Sequence, residues 1–239
     1  MSKQYTNCYI AFLDILGFKE LIKTRTCDEL CEIFTTKMKK HIGAVYKGTD
    51  EILSMDNVKV KVMSDSICFF IDSSVRNALF GLTITCATFQ NELMKMSPPI
   101  LCRGAIVKGD LFWDGDVIFG SGFVDAYLME EKNAKFPRII MTMETIQSAQ
   151  KNTADVIMND LRSLTFVDYD DFLVIDNIEK FEGLDIDGTN CENLYNHIVD
   201  VLEQTVDDSV REKYLYLKNS LLRWYKPGGT QQCQNNQQQ

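Results

Sequence analysis

The apolar positions follow two different periods along the first 142 residues. From Cys8 to Leu16 the run CYIAFLDIL is apolar except for one acid, and Gly17 ends it. This predicts a buried central strand with a carboxylate near its C-terminal end. Leu30, Ile33, Phe34, Met38, Ile42 and Val45 then recur at helical spacing over residues 28–46, with Asp28 placed to cap the start. Val58, Val60 and Val62 alternate with Lys59 and Lys61, and Ser64-Asp65-Ser66 separates them from the apolar run ending at Ile71. That pattern predicts a tight hairpin whose turn carries an aspartate.

Residues 74–96 carry a second helical pattern, stopped by Ser97-Pro98-Pro99. Cys102 to Lys108 reads as a strand, Gly109-Asp110 as a turn, and Leu111 to Phe119 as a partner strand interrupted by Asp114-Gly115-Asp116. A third helix is expected from about Gly122 to Lys132, a short strand from Arg138 to Thr142, and a helix around Glu144 to Lys151. The order strand, helix, hairpin, helix, strand is that of a split βαβ (ferredoxin-like) α+β domain. A strand pair over 166–175 and amphipathic helices over 192–202 and 210–225 form a C-terminal extension. The expected divisions are a core at 1–150, the extension packed on it at 151–226, and a polar, disordered tail at 227–239.

Composition narrows the classes of function. Of 239 residues 45% are hydrophobic, which excludes general disorder, and 34 acidic against 25 basic side chains leave a net charge of −9. Binding to a nucleic acid polymer or membrane surface by bulk electrostatics is not expected, whereas a local basic pocket for a phosphorylated small molecule is compatible with that charge. No apolar run reaches the roughly 18–20 residues of a membrane span, and the first residues are too polar for a signal peptide, so a cytoplasmic protein is expected. Eight cysteines without Cys-x-x-Cys spacing, and only two histidines, His41 and His197, point to free buried thiols rather than disulfides or a zinc site.

Two acids carry the chemistry. Asp14 lies in an apolar strand, where an unpaired carboxylate costs several kcal/mol to desolvate, so it requires a metal ion or a basic partner. Asp65 sits in the hairpin turn, where an aspartate commonly serves the turn itself. In a split βαβ fold these two elements are sheet neighbours, so the carboxylates converge, and paired hard oxygens suit Mg²⁺ or Mn²⁺ carrying a polyphosphate.

The segment Phe12-Leu13-Asp14-Ile15-Leu16-Gly17-Phe18, followed by Lys61-Val62-Met63-Ser64-Asp65, resembles the class III nucleotidyl cyclase catalytic domain, with its pattern F-x-D-I-x-G-F and then K-x-x-G-D. Arg103-Gly104-Ala105, Phe119-Gly120-Ser121-Gly122, Ala126-Tyr127-Leu128-Met129-Glu130 and Pro137-Arg138-Ile139 are similar to the bacterial pyrimidine cyclases of the Pycsar antiphage systems. The resemblance covers roughly residues 8–142. It implies closure of a nucleoside triphosphate by its ribose 3′-hydroxyl, with loss of pyrophosphate and two divalent ions, Mn²⁺ or Mg²⁺, per site. Asp14 and Asp65 would hold the ions and the Ile15 carbonyl would add an oxygen. The turn Leu16 to Phe18 would offer N–H groups to phosphate, with Gly17 allowing close approach.

By position Lys61 matches a base-recognising lysine, although its alternation with Lys59 equally fits a solvated strand face, and Arg103 matches a phosphate-binding or structural arginine. The resemblance further implies a homodimer with shared sites and a product, 3′,5′-cyclic UMP made from UTP, that acts as an alarm signal on a separate effector. Cyclic CMP, a purine product and a catalytically silent nucleotide-binding domain are the alternatives. One departure stands out. Where many purine cyclases carry V-N-x-A-x-R in the third helix, this chain has Val124-Asp125-Ala126-Tyr127-Leu128-Met129, so the missing cation would have to come from Arg103, Lys108 or Arg138.

Overall fold

The computed structural model describes residues 3–37, 57–177 and 189–227. It divides into two compact units, Met1–Asn177 and Ile178–Gln239. In the first unit, β1 (Thr6–Ile15), β2 (Lys59–Met63), β3 (Ser66–Asp72) and β4 (Cys102–Asp114) lie in the order β2-β3-β1-β4. Every neighbouring pair among the four is antiparallel. With helical segments between β1 and β2 and a long helix between β3 and β4, this is the split βαβ arrangement expected from the residue pattern. β6 (Ile139–Met141) extends the sheet parallel to β4, and β8 (Leu173–Ile175) and β7 (Thr165–Val167) complete it. The strand pair expected over 166–175 is present as β7 and β8, and β8 joins it to the main sheet through β6.

β1 reads as an unbroken apolar run because both sheet faces are covered. Tyr9, Ala11, Leu13 and Ile15 point into the larger core, beneath the helix Ala78–Met94. That helix is buried on most of its circumference, so its polar residues find partners within the protein: Thr83 Oγ1 donates back to the Leu79 carbonyl of its own helix at 2.8 Å, and Gln90 Nε2 donates to the Cys102 carbonyl at 2.9 Å. Cys8, Ile10 and Phe12 point to the opposite face, where they pack with Cys68, Phe70, Leu111 and Ala126.

The helix Ser121–Asn133 covers that second face and explains a departure from the sequence reading. β4 runs straight through Gly109-Asp110 to Asp114, and the chain reverses only at Gly115 before the short β5 (Val117–Phe119). Gly109 is not a turn residue. A Cβ there would stand 2.6 Å from the Gly122 Cα, and one on Gly122 would stand 2.8 Å from the Gly109 Cα. The pair of glycines lets helix backbone lie directly on strand backbone.

Other elements depart less. The described part of the helix expected over 28–46 runs as Cys27–Cys31 and a π-helical turn Glu32–Lys37, preceded by a helix Phe18–Thr24 that the residue pattern does not announce, and residues 38–46 lie outside the described residues. A helix not anticipated from the sequence, Asp155–Ser163, buries Ile157, Met158 and Leu161. Among the described cysteines Cys8, Cys68, Cys86 and Cys102 are buried free thiols and Cys191 is buried, whereas Cys27 and Cys31 are exposed, contrary to the expectation of burial. Burial pushes the Cys68 thiol up to about 12, which makes it inert at neutral pH.

The second unit contains the helices Thr189–Gln204 and Asp208–Leu221. Asp207 caps the second through the Val210 N–H at 3.0 Å, and Arg211 donates to the Leu202 carbonyl at 2.8 Å, closing the connection. Tyr214 Oη lies 3.4 Å from His197 Nε2 between them. The tail expected over 227–239 lies outside the described residues from 228 onward. Among the described residues no helix is long and apolar enough to cross a membrane.

Candidate functional site

The carboxyl end of β1 is where the predicted residues gather. Asp14 is the penultimate residue of the strand and pairs with Ser66 on one side and Arg103 on the other. Its side chain shares a sheet face with Ile10 and Phe12, since strand residues alternate. Asp65 lies in the hairpin turn one residue before Ser66, and its carbonyl accepts a 2.9 Å hydrogen bond from the Ile15 N–H. The two aspartates thus sit at the same end of adjacent strands, tied by backbone.

The turn is built under constraint. Ser64, where the cyclase pattern has glycine, adopts φ 59°, a left-handed conformation that costs a residue with a Cβ about 1–2 kcal/mol. On the next connection Gly17 adopts φ 72° with nothing within 4 Å of a notional Cβ, so glycine is used there for conformation. The Leu16 N–H is engaged by the Leu101 carbonyl at 2.9 Å. Of the N–H groups expected to face phosphate, those of Gly17 and Phe18 therefore remain as candidates.

Arg103 is the cation at this site. Its Nε–H donates to Asp14 Oδ2 at 3.3 Å, and its Nη1 donates to the Ala134 carbonyl at 3.3 Å. The same Nε lies 2.7 Å from Glu130 Oε1, but off the N–H direction, so no hydrogen bond reaches that oxygen. Glu130 projects from the helix Ser121–Asn133 and is 3% exposed. Burial pushes its carboxyl up to about 7, opposed by the Arg103 guanidinium and assisted by the nearby negative charges of Asp14, Glu131 and Asp65. The sequence reading assigned Glu130 no role. Its signal was spacing: Gly122, Ala126 and Glu130 recur every four residues, a small-residue stripe on the buried face that ends in an acid.

The other two candidate cations are engaged elsewhere. Lys108 pairs with Tyr9 on the opposite sheet face, its Nζ 5.3 Å from that ring. Arg138 is 2% exposed and clamped by Asp168 and Asp170, with Phe136 and Tyr169 against its guanidinium at 5.5 and 5.6 Å. The acidic turn at 168–171 thereby pins the loop after the third helix. In that helix Asp125 is exposed.

Lys61 shares the sheet face of Asp14, level with Cys68 and two strands away, where it donates to the Gly115 carbonyl in the β4–β5 turn. That turn folds over the face, with Trp113 against Phe70 at 5.1 Å between ring centres. Lys61 is therefore held by the arm and does not reach Asp14, Asp65 or Arg103 in any contact seen here.

Among the described residues no cluster of three or more His, Cys, Asp and Glu side chains is arranged to hold a metal ion. Two carboxylates at one strand end are still a sufficient protein share for Mg²⁺ or Mn²⁺, which keep several waters and take further oxygens from substrate phosphates. The donor set, hard oxygen with no thiol or imidazole, fits those ions.

No known family profile matches the chain, and no curated protein does. Among solved structures it is similar to the catalytic core of a rhodopsin-guanylyl cyclase with converted specificity, at 17% identity over 60% of this chain and 81% of that one, with a TM-score of 0.45. It is similar also to the adenylyl cyclase CyaB from P. aeruginosa, at 15% identity over 63% and 84%, with a TM-score of 0.43. A third is the monomeric guanylyl cyclase domain of the RhoGC fusion protein from the aquatic fungus Blastocladiella emersonii, at 12% over 73% and 98%, with a TM-score of 0.46. Likeness of this degree is one of partial backbone outline and says nothing of substrate or activity.

Proposed function

We propose that the chain is a nucleotidyl cyclase of the class III type that converts UTP to 3′,5′-cyclic UMP and pyrophosphate. The observation that carries this reading is the convergence of Asp14 and Asp65 at one end of adjacent strands, with the Ile15 N–H on the Asp65 carbonyl. Both lie in the two motifs that resemble the family. Asp14 and Asp65, with the Ile15 carbonyl, would hold Mn²⁺ or Mg²⁺, whose chemistry is to acidify the ribose 3′-hydroxyl and to neutralise the polyphosphate.

The chain's own groups divide the remaining work. The N–H groups of Gly17 and Phe18, at the sharp turn after β1, bind phosphate oxygens through fixed dipoles. Arg103 supplies positive charge beside the reacting phosphate in place of the cation that the third helix lacks. Lys61 reads the base. Uracil offers an acceptor oxygen at position 4 where cytosine offers a donor amine, so a lysine, which only donates, favours UTP. To do so it must leave the Gly115 carbonyl. The site is shared between two copies in a homodimer, and the product acts on a separate effector in antiphage defence; this part of the reading rests on the sequence resemblance alone.

Incubation of the purified chain with each of the four ribonucleoside triphosphates and Mn²⁺, with mass spectrometry of the products, tests the reading. A second reading has its own support. Arg103 forms an ion pair with Asp14, as expected if the acid is structural and the domain binds a nucleotide without turning it over. Nucleotide binding without any cyclic product would favour that reading.

A further inference from the structure

One donor at the site faces two carboxylates and satisfies only one of them. Arg103 Nε–H is directed at Asp14 Oδ2, 3.3 Å away, while Glu130 Oε1 is closer, at 2.7 Å, and receives no hydrogen bond. A buried acceptor left without a donor is costly, and here the donor that could serve it is already in contact. The Arg103 and Asp14 side chains are each 23% exposed, whereas the Glu130 side chain is 4% exposed and held by a helix whose backbone rests on the sheet. The Nη1 bond to the Ala134 carbonyl gives the guanidinium a pivot that does not depend on either acid. A small rotation about that pivot aligns Nε–H with Glu130 instead of Asp14.

We propose that Arg103 stands in for a divalent cation on Asp14 in the metal-free protein, and that Glu130 is the positioning residue that receives the guanidinium when the cation arrives. The proposal rests on the reading of Asp14 as a metal ligand and adds a residue that this reading does not use. A cation binding Asp14 displaces the Nε–H bond and repels the guanidinium. Without Glu130 the displaced Arg103 would have no acceptor in that direction, and metal binding would carry the whole loss of the Asp14–Arg103 bond. With Glu130, one charge-assisted hydrogen bond is exchanged for another. The exchange also turns the arginine away from the metal ligand without removing its charge from the site.

Mn²⁺ binding to the full chain, measured from the electron paramagnetic resonance signal of free Mn²⁺ without nucleotide, tests this in a cycle of four proteins: parent, Glu130→Gln, Arg103→Met and the double variant. In the chain with Arg103, Glu130→Gln should raise the Mn²⁺ dissociation constant by about tenfold, the scale of one charge-assisted acceptor. In the Arg103→Met background the same change should move it by less than about threefold, leaving only the through-space effect of one charge. Equal losses in both backgrounds, or no loss in either, would overturn the proposal. Mn²⁺ that binds Asp14→Asn as tightly as the parent would overturn the metal reading itself, and the proposal with it.

Arg103→Met leaves Glu130 buried without its cation, so a measurement on the folded parent backs up the cycle. On titration with diamagnetic Mg²⁺, the Arg103 Nε–H proton resonance, assigned by its loss in Arg103→Lys, should shift and become more protected from exchange with water. The shift should shrink in Glu130→Gln. A resonance that disappears into solvent exchange on Mg²⁺ addition would mean that the guanidinium is released to water, contrary to the proposal.

Discussion

Replacing Glu130 with glutamine should stabilise the metal-free protein at neutral and alkaline pH and not at acid pH. Burial, more than any neighbouring charge, holds this carboxyl near 7 against 4.5 for an ordinary glutamate. The sign follows from linkage. The unfolded chain gives up its proton near pH 4.5 while the folded chain keeps it until about 7, so folding is progressively penalised as pH rises through that window, and the full penalty is present above it. A difference of this size corresponds to about 3 kcal/mol once both states are ionised, and relaxation and water entry reduce it to about 1–3 kcal/mol. Glutamine keeps the shape and removes the titration. Chemical denaturation in EDTA at a series of pH values from 4.5 to 8.5 should give curves that nearly coincide at the acid end and separate by 1–3 kcal/mol above pH 7.5, with the variant more stable. Parallel curves across the range, or a less stable variant at pH 8, would refute the account of Glu130 as a carboxyl held in an unfavourable place.

Other expectations are simpler. Gly109→Ala should destabilise the fold by about 2–3 kcal/mol, because its Cβ meets helix backbone rather than a movable side chain, and thermal melting with a normal circular dichroism spectrum below the transition would report it. Ser64→Gly should raise stability by about 0.5–1 kcal/mol in urea titration by relieving the left-handed serine beside Asp65.

The residues that announced the fold were those whose burial leaves no choice of period. The apolar run of β1 and the alternation of Val58, Val60 and Val62 placed the central strand and hairpin, and with them the neighbourhood of Asp14 and Asp65. Gly109-Asp110 was misread because a glycine before an acid looks the same in sequence whether it turns the chain or admits a helix backbone; only the partner glycine at 122 distinguishes them, and it is thirteen residues away. The helix Asp155–Ser163 starts without a side-chain cap at Ala154 and leaves Val156 exposed, so its boundary carried little signal. Arg138 stands among the candidate cations in the sequence because its ion pair with Asp168 and Asp170, thirty residues away, has no local pattern. Glu130 was passed over for the same reason: its meaning lies in Arg103, on another element.

The most direct test of the account remains the product assay, run on the parent chain, Asp14→Asn and Asp65→Asn with each ribonucleoside triphosphate and Mn²⁺. The account predicts cyclic UMP and pyrophosphate from UTP with the parent, less of any other cyclic product, and loss of cyclisation in both variants with the fold intact by circular dichroism. No cyclic product from any of the four triphosphates, or undiminished product from either variant, would contradict it.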